Sequence, residues 1–307
     1  AIANHYAHWH GVTFDPMSEV MVTSGATEAL AGAILGLVGA GDEVVVFQPF
    51  YDAYVPLIRR AGGTVRFVRL EPPHWRLTEE VLRAAFTPKT KFVIFNNPLN
   101  PAAVVYPRED LELLAKFCQE FDAVAICDEV WEHIVFDGRA HIPLIAIPGM
   151  RERTVKIGSA KIGFVCAAPK LLHVLAKAHQ FLAFTTAPNL QVAVAYGLGK
   201  PDTFFTDMRA DLARSRDRLT NGLKSIGFPV LESQGTYFLN VDLAPLGLNE
   251  TDEDFSKRIV VEHKVASIPV SSFYENDPVR SVVRFCFAKS DATIDTALER
   301  LSRVLRS

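Results

Sequence analysis

The feature that most constrains this chain is an alternation, over its first two thirds, of short apolar β-branched runs with stretches of helical period. Residues 20–23, 43–47, 64–70, 92–95, 124–127 and 155–157 read as strands. Helical patterns cover about 27–38, 51–61, 77–85 (with Thr78 near its start) and 108–121. Strands that are apolar on both faces and separated by helices predict an α/β fold, a mostly parallel sheet covered by helices on both sides. Such sheets bind ligands outside the carboxyl ends of their strands.

From residue 189 a long helical stretch runs to about 225, interrupted near 199–202. Beyond it, strands at 235–240 and 282–287 and helices at 252–263 and from 292 predict a smaller α+β unit. The expected division is therefore 1–205 for a large domain and 206–307 for a small C-terminal one. A length of 307 residues accommodates both.

Composition excludes several function classes. Hydrophobic residues make up 49% and charged residues 22%, as in ordinary globular proteins, and a net charge of -3 argues against a nucleic-acid partner. The longest apolar run, 29–40, is interrupted by Gly32, Gly36 and Gly39 and is too short to span a bilayer, so no membrane role is expected. There is no basic-then-apolar leader, and Cys118, Cys127, Cys166 and Cys286 form no CxxC pair. Reduced thiols in a cytoplasmic protein are the simplest reading. Ala1 falls inside a predicted helix, 1–10, so further residues upstream of it are expected.

Polar residues gather where the strands end. Ser24-Gly25-Ala26-Thr27 joins a strand to a helix, which suits either a phosphate seat or an ordinary helix start. Asp128 closes an apolar run; a carboxylate there can hold a protonated ring nitrogen, or serve as a cap or structural ion pair. Asn96-Asn97-Pro98-Leu99-Asn100-Pro101 reads as a turn whose amides can also bond a ligand. Arg284 sits in the apolar run 283–287, fit for a substrate carboxylate and equally for a buried salt bridge.

Taken in order, Gly25 to Leu30, Pro49-Phe50-Tyr51, Asn96 to Pro101, Asp128-Glu129-Val130-Trp131 and Arg284 to Ala288 resemble the class I/II aminotransferases of fold type I, over essentially the whole chain. The resemblance implies a pyridoxal-phosphate-dependent enzyme that moves an amino group between an L-amino acid and a 2-oxo acid through a lysine Schiff base. It further implies that Gly25, Ala26, Thr27 and Ser159 hold the phosphate and that Tyr51 stacks on the ring. Asn100 would contact the ring hydroxyl and the substrate, Asp128 the ring nitrogen, and Arg284 the substrate carboxylate. It also implies a homodimer. Trp131 stands where the family carries a tyrosine, and an indole donates a hydrogen bond but neither accepts one nor ionises; a differently tuned cofactor is therefore expected. Tyr51 and Trp131 favour an aromatic or large apolar amino acid.

A larger departure follows Ser159. The family places Ser-x-x-Lys here, then an aromatic and glycine-bearing stretch, then a Gly-x-Lys/Arg-x-Gly motif. This sequence reads Ser159-Ala160-Lys161-Ile162-Gly163, so Lys161 matches the cation of the later motif, beside the phosphate. The Schiff-base lysine is expected in a loop between Ala160 and Lys161 that this sequence leaves out, with Lys161 itself as the fallback. Two other readings stay open: a cysteine-conjugate β-lyase of the same fold, and a non-catalytic sensor module. Metal chemistry is not expected. His5, His8 and His10 lie close together and His133 follows Asp128, Glu129 and Glu132, but a solvated helix face accounts for the first cluster, and no second cluster has ligand spacing.

Overall fold

The computed structural model describes residues 1–160 and 162–305. Its large sheet has seven strands in the order β1-β7-β6-β5-β4-β2-β3. These are β1 (Val20–Thr23), β2 (Glu43–Gln48), β3 (Thr64–Arg69), β4 (Thr90–Asn96), β5 (Val124–Asp128), β6 (Thr154–Ala160) and β7 (Ile162–Ala167). The pairs β2–β3, β2–β4, β4–β5 and β5–β6 are parallel; β7 runs antiparallel to both β6 and β1. The expected mostly parallel sheet is present. The antiparallel strand β7 was not separated in the sequence reading, because its apolar run directly follows that of β6.

Strand periodicity divides the core in two. Val45, Phe47, Val93, Phe95, Ala125 and Cys127 face α4 (Glu79–Ala85) and α5 (Arg108–Glu120). Val44, Val46, Ile94, Ile126 and Ile157 face α2 (Ala26–Leu37), α3 (Tyr54–Ala61) and α6 (Pro169–Leu182). A third cluster joins α1 (Ile2–His10) to the sheet through Tyr6, Phe14, Phe164 and Cys166. In β6, Ile157 belongs to the α2 side, whereas Lys156 pairs with Cys166 and turns toward α1.

The C-terminal unit carries an antiparallel sheet, β8 (Phe238–Asp242), β10 (Val282–Cys286) and β9 (Ile268–Pro269) in that order. Its helices are α9 (Asp252–His263) and α10 (Asp291–Leu301), which begin at Thr251 and Ser290 side chains that accept from Asp254 N and Thr293 N. The division at 205/206 falls inside the 24-residue helix α8 (Asp202–Ser225), which follows α7 (Pro188–Leu198). Phe205 in its first turn packs on His5 and His133 of the large unit, while Leu219 and Leu223 enter the core of the small one. One helix serves both cores, so no linker marks the division.

Gly163 ties this frame to the ligand side. It pairs with Thr23 of β1 and Ser159 of β6, and a Cβ added to it would lie 2.3 Å from the carbonyl carbon and oxygen of Gly25. Gly163→Ala should therefore displace the 23–25 turn and destabilise the protein by about 1–3 kcal/mol, as overpacking does. Denaturant titration checks this, and a variant as stable as the parent would show that the turn yields freely.

Candidate active site

Every strand-end residue singled out in the sequence sits on the carboxyl side of the sheet. β1 leads into Gly25, the N-cap of α2, at φ 92 and ψ 164, a conformation that a side chain would strain. The opening N–H groups of α2, from Ala26 and Thr27 onward, have no helical acceptor and form an anion-binding end. Glu28, whose carboxylate would oppose an anion there, is drawn aside: it accepts from Ser24 N at 3.0 Å and meets His179 Nδ1 at 2.9 Å. Ser159, Gly163 and the Gly25 turn lie together through the β1–β7–β6 pairing, with Gly163 packed against the Gly25 carbonyl.

Asp128 is the last residue of β5, on the face shared with Ile126 and α3. Its Oδ2 accepts from the buried Tyr54 hydroxyl at 2.7 Å, and its Oδ1 is buried with no partner. Burial pushes its pKa up to about 6, against the lowering pull of the Tyr54 hydroxyl and the Val130 N–H. A protonated ring nitrogen at Oδ1 would supply the missing donor and return the carboxylate to its charged form. This acceptor, orphaned among the described residues, together with the free N–H groups that open α2, fits a phosphorylated pyridinium.

Arg284 lies in β10, across the cleft. Its Nη1 donates to Asn100 Oδ1 at 2.6 Å, and its guanidinium stacks 3.9 Å from the Phe238 ring centroid and 4.8 Å from that of Phe273. Among the described residues no carboxylate pairs with it, so the buried salt bridge left open in the sequence is absent. Burial lowers its pKa to about 10. Asn100 N donates to Asn96 Oδ1 at 2.8 Å, and Asn96 Nδ2 donates to the Asp128 carbonyl at 2.7 Å. Three hydrogen bonds thus run from the Arg284 guanidinium to the backbone of Asp128. Tyr51 packs edge-on to Tyr54 at 5.7 Å, and Trp131 packs edge-on to Tyr237 at 4.5 Å, beside Phe238.

The family model for aminotransferases of class I and II matches residues 1–301. The chain is 40% identical to the probable N-succinyldiaminopimelate aminotransferase DapC of Mycobacterium tuberculosis, over 98% of this chain and 81% of that one. It is 35% identical to the methionine aminotransferase of Escherichia coli, over 99% and 81%. Among solved structures, the N-succinyldiaminopimelate aminotransferase of Mycobacterium tuberculosis superposes with a TM-score of 0.95 at 41% identity, covering 99% of this chain and 82% of that one. This chain belongs to the class I and II aminotransferases. It is a transaminase with the fold of type I, from a family that uses pyridoxal phosphate.

Within this aminotransferase the sequence reading missed Tyr54 and Asn96 as partners of Asp128. Tyr54 reads as an ordinary apolar helix position, and its partner lies 74 residues away. The lysine region is as short in the fold as in the sequence. Ala160 pairs with Ile162 and Ser159 with Gly163, so β6 passes to β7 through Lys161 alone, and Lys161 lies outside the described residues. Lys156 is no substitute: it is buried on the α1 side and donates to Glu132 at 2.8 Å.

The raised pKa of Asp128 fixes the sign of a stability effect. Folding takes up a proton between the ordinary carboxylate value of 3.8 and about 6, so stability is lost as pH rises through that window. Asp128→Asn should raise the melting temperature of the cofactor-free aminotransferase above about pH 6 while abolishing transamination. The stability gain should shrink to nothing near pH 3.8; an equal gain at both ends would mean that charge burial is not its source.

Proposed function

We propose that this aminotransferase binds pyridoxal 5'-phosphate between its two units, residues 1–205 and 206–307, and uses it on amino acids with aromatic or large apolar side chains. The observation that carries this reading is the buried pair of unmet charges, Asp128 Oδ1 and Arg284, braced by Asn96 and Asn100. Pyridoxal phosphate, when bound, supplies an electron sink for the pair left behind as a bond at the α-carbon breaks. Asp128 holds the ring nitrogen protonated. Gly25, Ala26 and Thr27 with Ser159 take the phosphate, and Tyr51 offers the ring an aromatic face. Arg284 clamps the α-carboxylate of amino and 2-oxo acid alike, with Asn100 fixing the plane of its fork. The lysine that carries the proton is expected between Ala160 and Lys161, in a loop this sequence leaves out, with Lys161, which lies outside the described residues, as the fallback. Trp131, Tyr237 and Phe238 wall the substrate side with rings, and the relatives named for methionine and kynurenine support an apolar or aromatic side chain.

Borohydride reduction of the protein mixed with pyridoxal phosphate, followed by peptide mapping, tests the site. Stable modification of a lysine in a peptide between Ala160 and Lys161 is expected, and modification of Lys161 itself would instead make the fallback residue the reactive one. The absence of specific labelling, combined with no transamination across an amino-acid panel, would sink the enzyme assignment and favour a ligand sensor. Ammonia and pyruvate from cysteine conjugates, with no acceptor dependence, would identify a β-lyase. Arg284→Gln should raise KM for both substrates about 10- to 150-fold, since a charged hydrogen bond contributes about 1.5–3 kcal/mol. A change confined to kcat would remove Arg284 from carboxylate binding.

A homodimer fits the surface beside the cofactor site. Phe181 is 89% exposed, Phe184 77% and Val192 and Tyr196 each 70%, while α7 buries no residue of its own. Light scattering should give twice the chain mass, and Phe181→Glu with Val192→Glu should return the monomer; a monomeric parent protein would remove the proposal. Four unpaired cysteines, three of them buried, fit a reducing cytoplasmic setting.

A further inference from the structure

The histidines read as a solvated helix face are not one. His8 does lie at the surface, 2.8 Å from Asp202, but His5 is buried and its Nε2 stands 2.7 Å from Nε2 of His133, in the loop after β5. Glu132 closes the group: one ligand atom from each of His5, Glu132 and His133 lies within 4.8 Å of the others. The Glu132 Oε2 accepts from the Tyr6 hydroxyl and from Lys156 Nζ, which leaves Oε1 with no hydrogen bond among the described residues. The sequence held all three residues, but His5 and His133 are 128 positions apart, so ligand spacing along the chain gave no signal.

His10, also on α1 and with its side chain only 6% exposed, holds the other side of Glu132, its Nε2 3.4 Å from Oε2. The surroundings suit coordination. The Leu198 backbone hydrogen-bonds the His5 ring, and a backbone acceptor on one side of an imidazole leaves the opposite nitrogen as a lone-pair donor. Trp9 and Phe205 pack against His133 at 5.3 and 4.7 Å, sheltering the group from water.

We propose that His5, His133 and Glu132 form a site for one divalent cation of the zinc type, on the sheet face opposite the cofactor, with water completing its coordination. Two imidazoles with one carboxylate is a borderline donor set, which favours zinc, cobalt or nickel over magnesium or calcium. The cation would pin α1 to the loop that leaves Asp128 and carries Trp131. Its role is structural, and it stands apart from transamination. Lys156, which donates to Glu132 Oε2 at 2.8 Å, is the internal competitor, and the cation would take the other oxygen, Oε1.

The test uses the untagged full chain, stripped with chelator and then equilibrated with zinc sulfate, with bound metal counted by elemental analysis. About one zinc per chain is expected, lost in His5→Gln and in His133→Gln and kept in His8→Gln. Circular dichroism checks that the variants fold. Cobalt substitution of the parent protein gives a second readout that needs no variant: intense visible bands of a tetrahedral nitrogen–oxygen site. No zinc above buffer, no such cobalt bands, or full retention by either histidine variant would overturn the site and leave His5 and His133 as a plain hydrogen-bonded pair.

Discussion

The site depends on one relay of amide hydrogen bonds. Asn96 ends β4 and donates to the carbonyl of Asp128 at the end of β5; it also accepts from the backbone of Asn100, whose side chain accepts from Arg284. An amide can do this because it donates and accepts through different atoms. A carboxylate at position 96 could not donate to the Asp128 carbonyl, and an apolar residue could do neither. The relay converts the spacing of two parallel strands into a fixed relation between a carboxylate in the large unit and a guanidinium in the small one. Asn240 adds a second tie, donating to the Pro101 carbonyl at 2.9 Å from the strand paired with β10.

That relay holds two groups that folding alone would not choose to bury. Among the described residues Asp128 keeps one oxygen without a donor, and Arg284 lies between rings with no carboxylate paired to it. Each is costly in the free protein, and a ligand under the proposed reading would relieve each with one of its parts: a ring N–H for the first, an α-carboxylate for the second. The apolar setting would strengthen both attractions. On that reading, stability is given up where binding can recover it.

Legibility in the sequence followed the range of the interaction that fixes each feature. Strands such as β2 and β4, apolar on both faces, and helices such as α5, with apolar residues at helical spacing, announce themselves within ten residues. β7 did not, since nothing in Ile162 to Ala167 distinguishes an antiparallel return strand from the tail of β6. The boundary placed near 205 falls within α8, which meets two different cores along its length. At the site, Asp128, Asn100 and Arg284 were visible because polar residues in apolar or turn contexts stand out. Tyr54 was not, since a tyrosine in an amphipathic helix is normally core, and only the tertiary fold shows its hydroxyl meeting a carboxylate.

The two faces of β6 separate the chemistry cleanly. Ile157 looks toward α2, and Lys156 looks toward α1, Tyr6 and Glu132. A shift of one residue in the register of β6 would exchange them, turning an ammonium into the apolar α2 side and an isoleucine against a buried glutamate. The pairings of β6 with β5 and β7 hold the register, and Lys156 is thereby confined to the face of the sheet away from the Asp128 side chain.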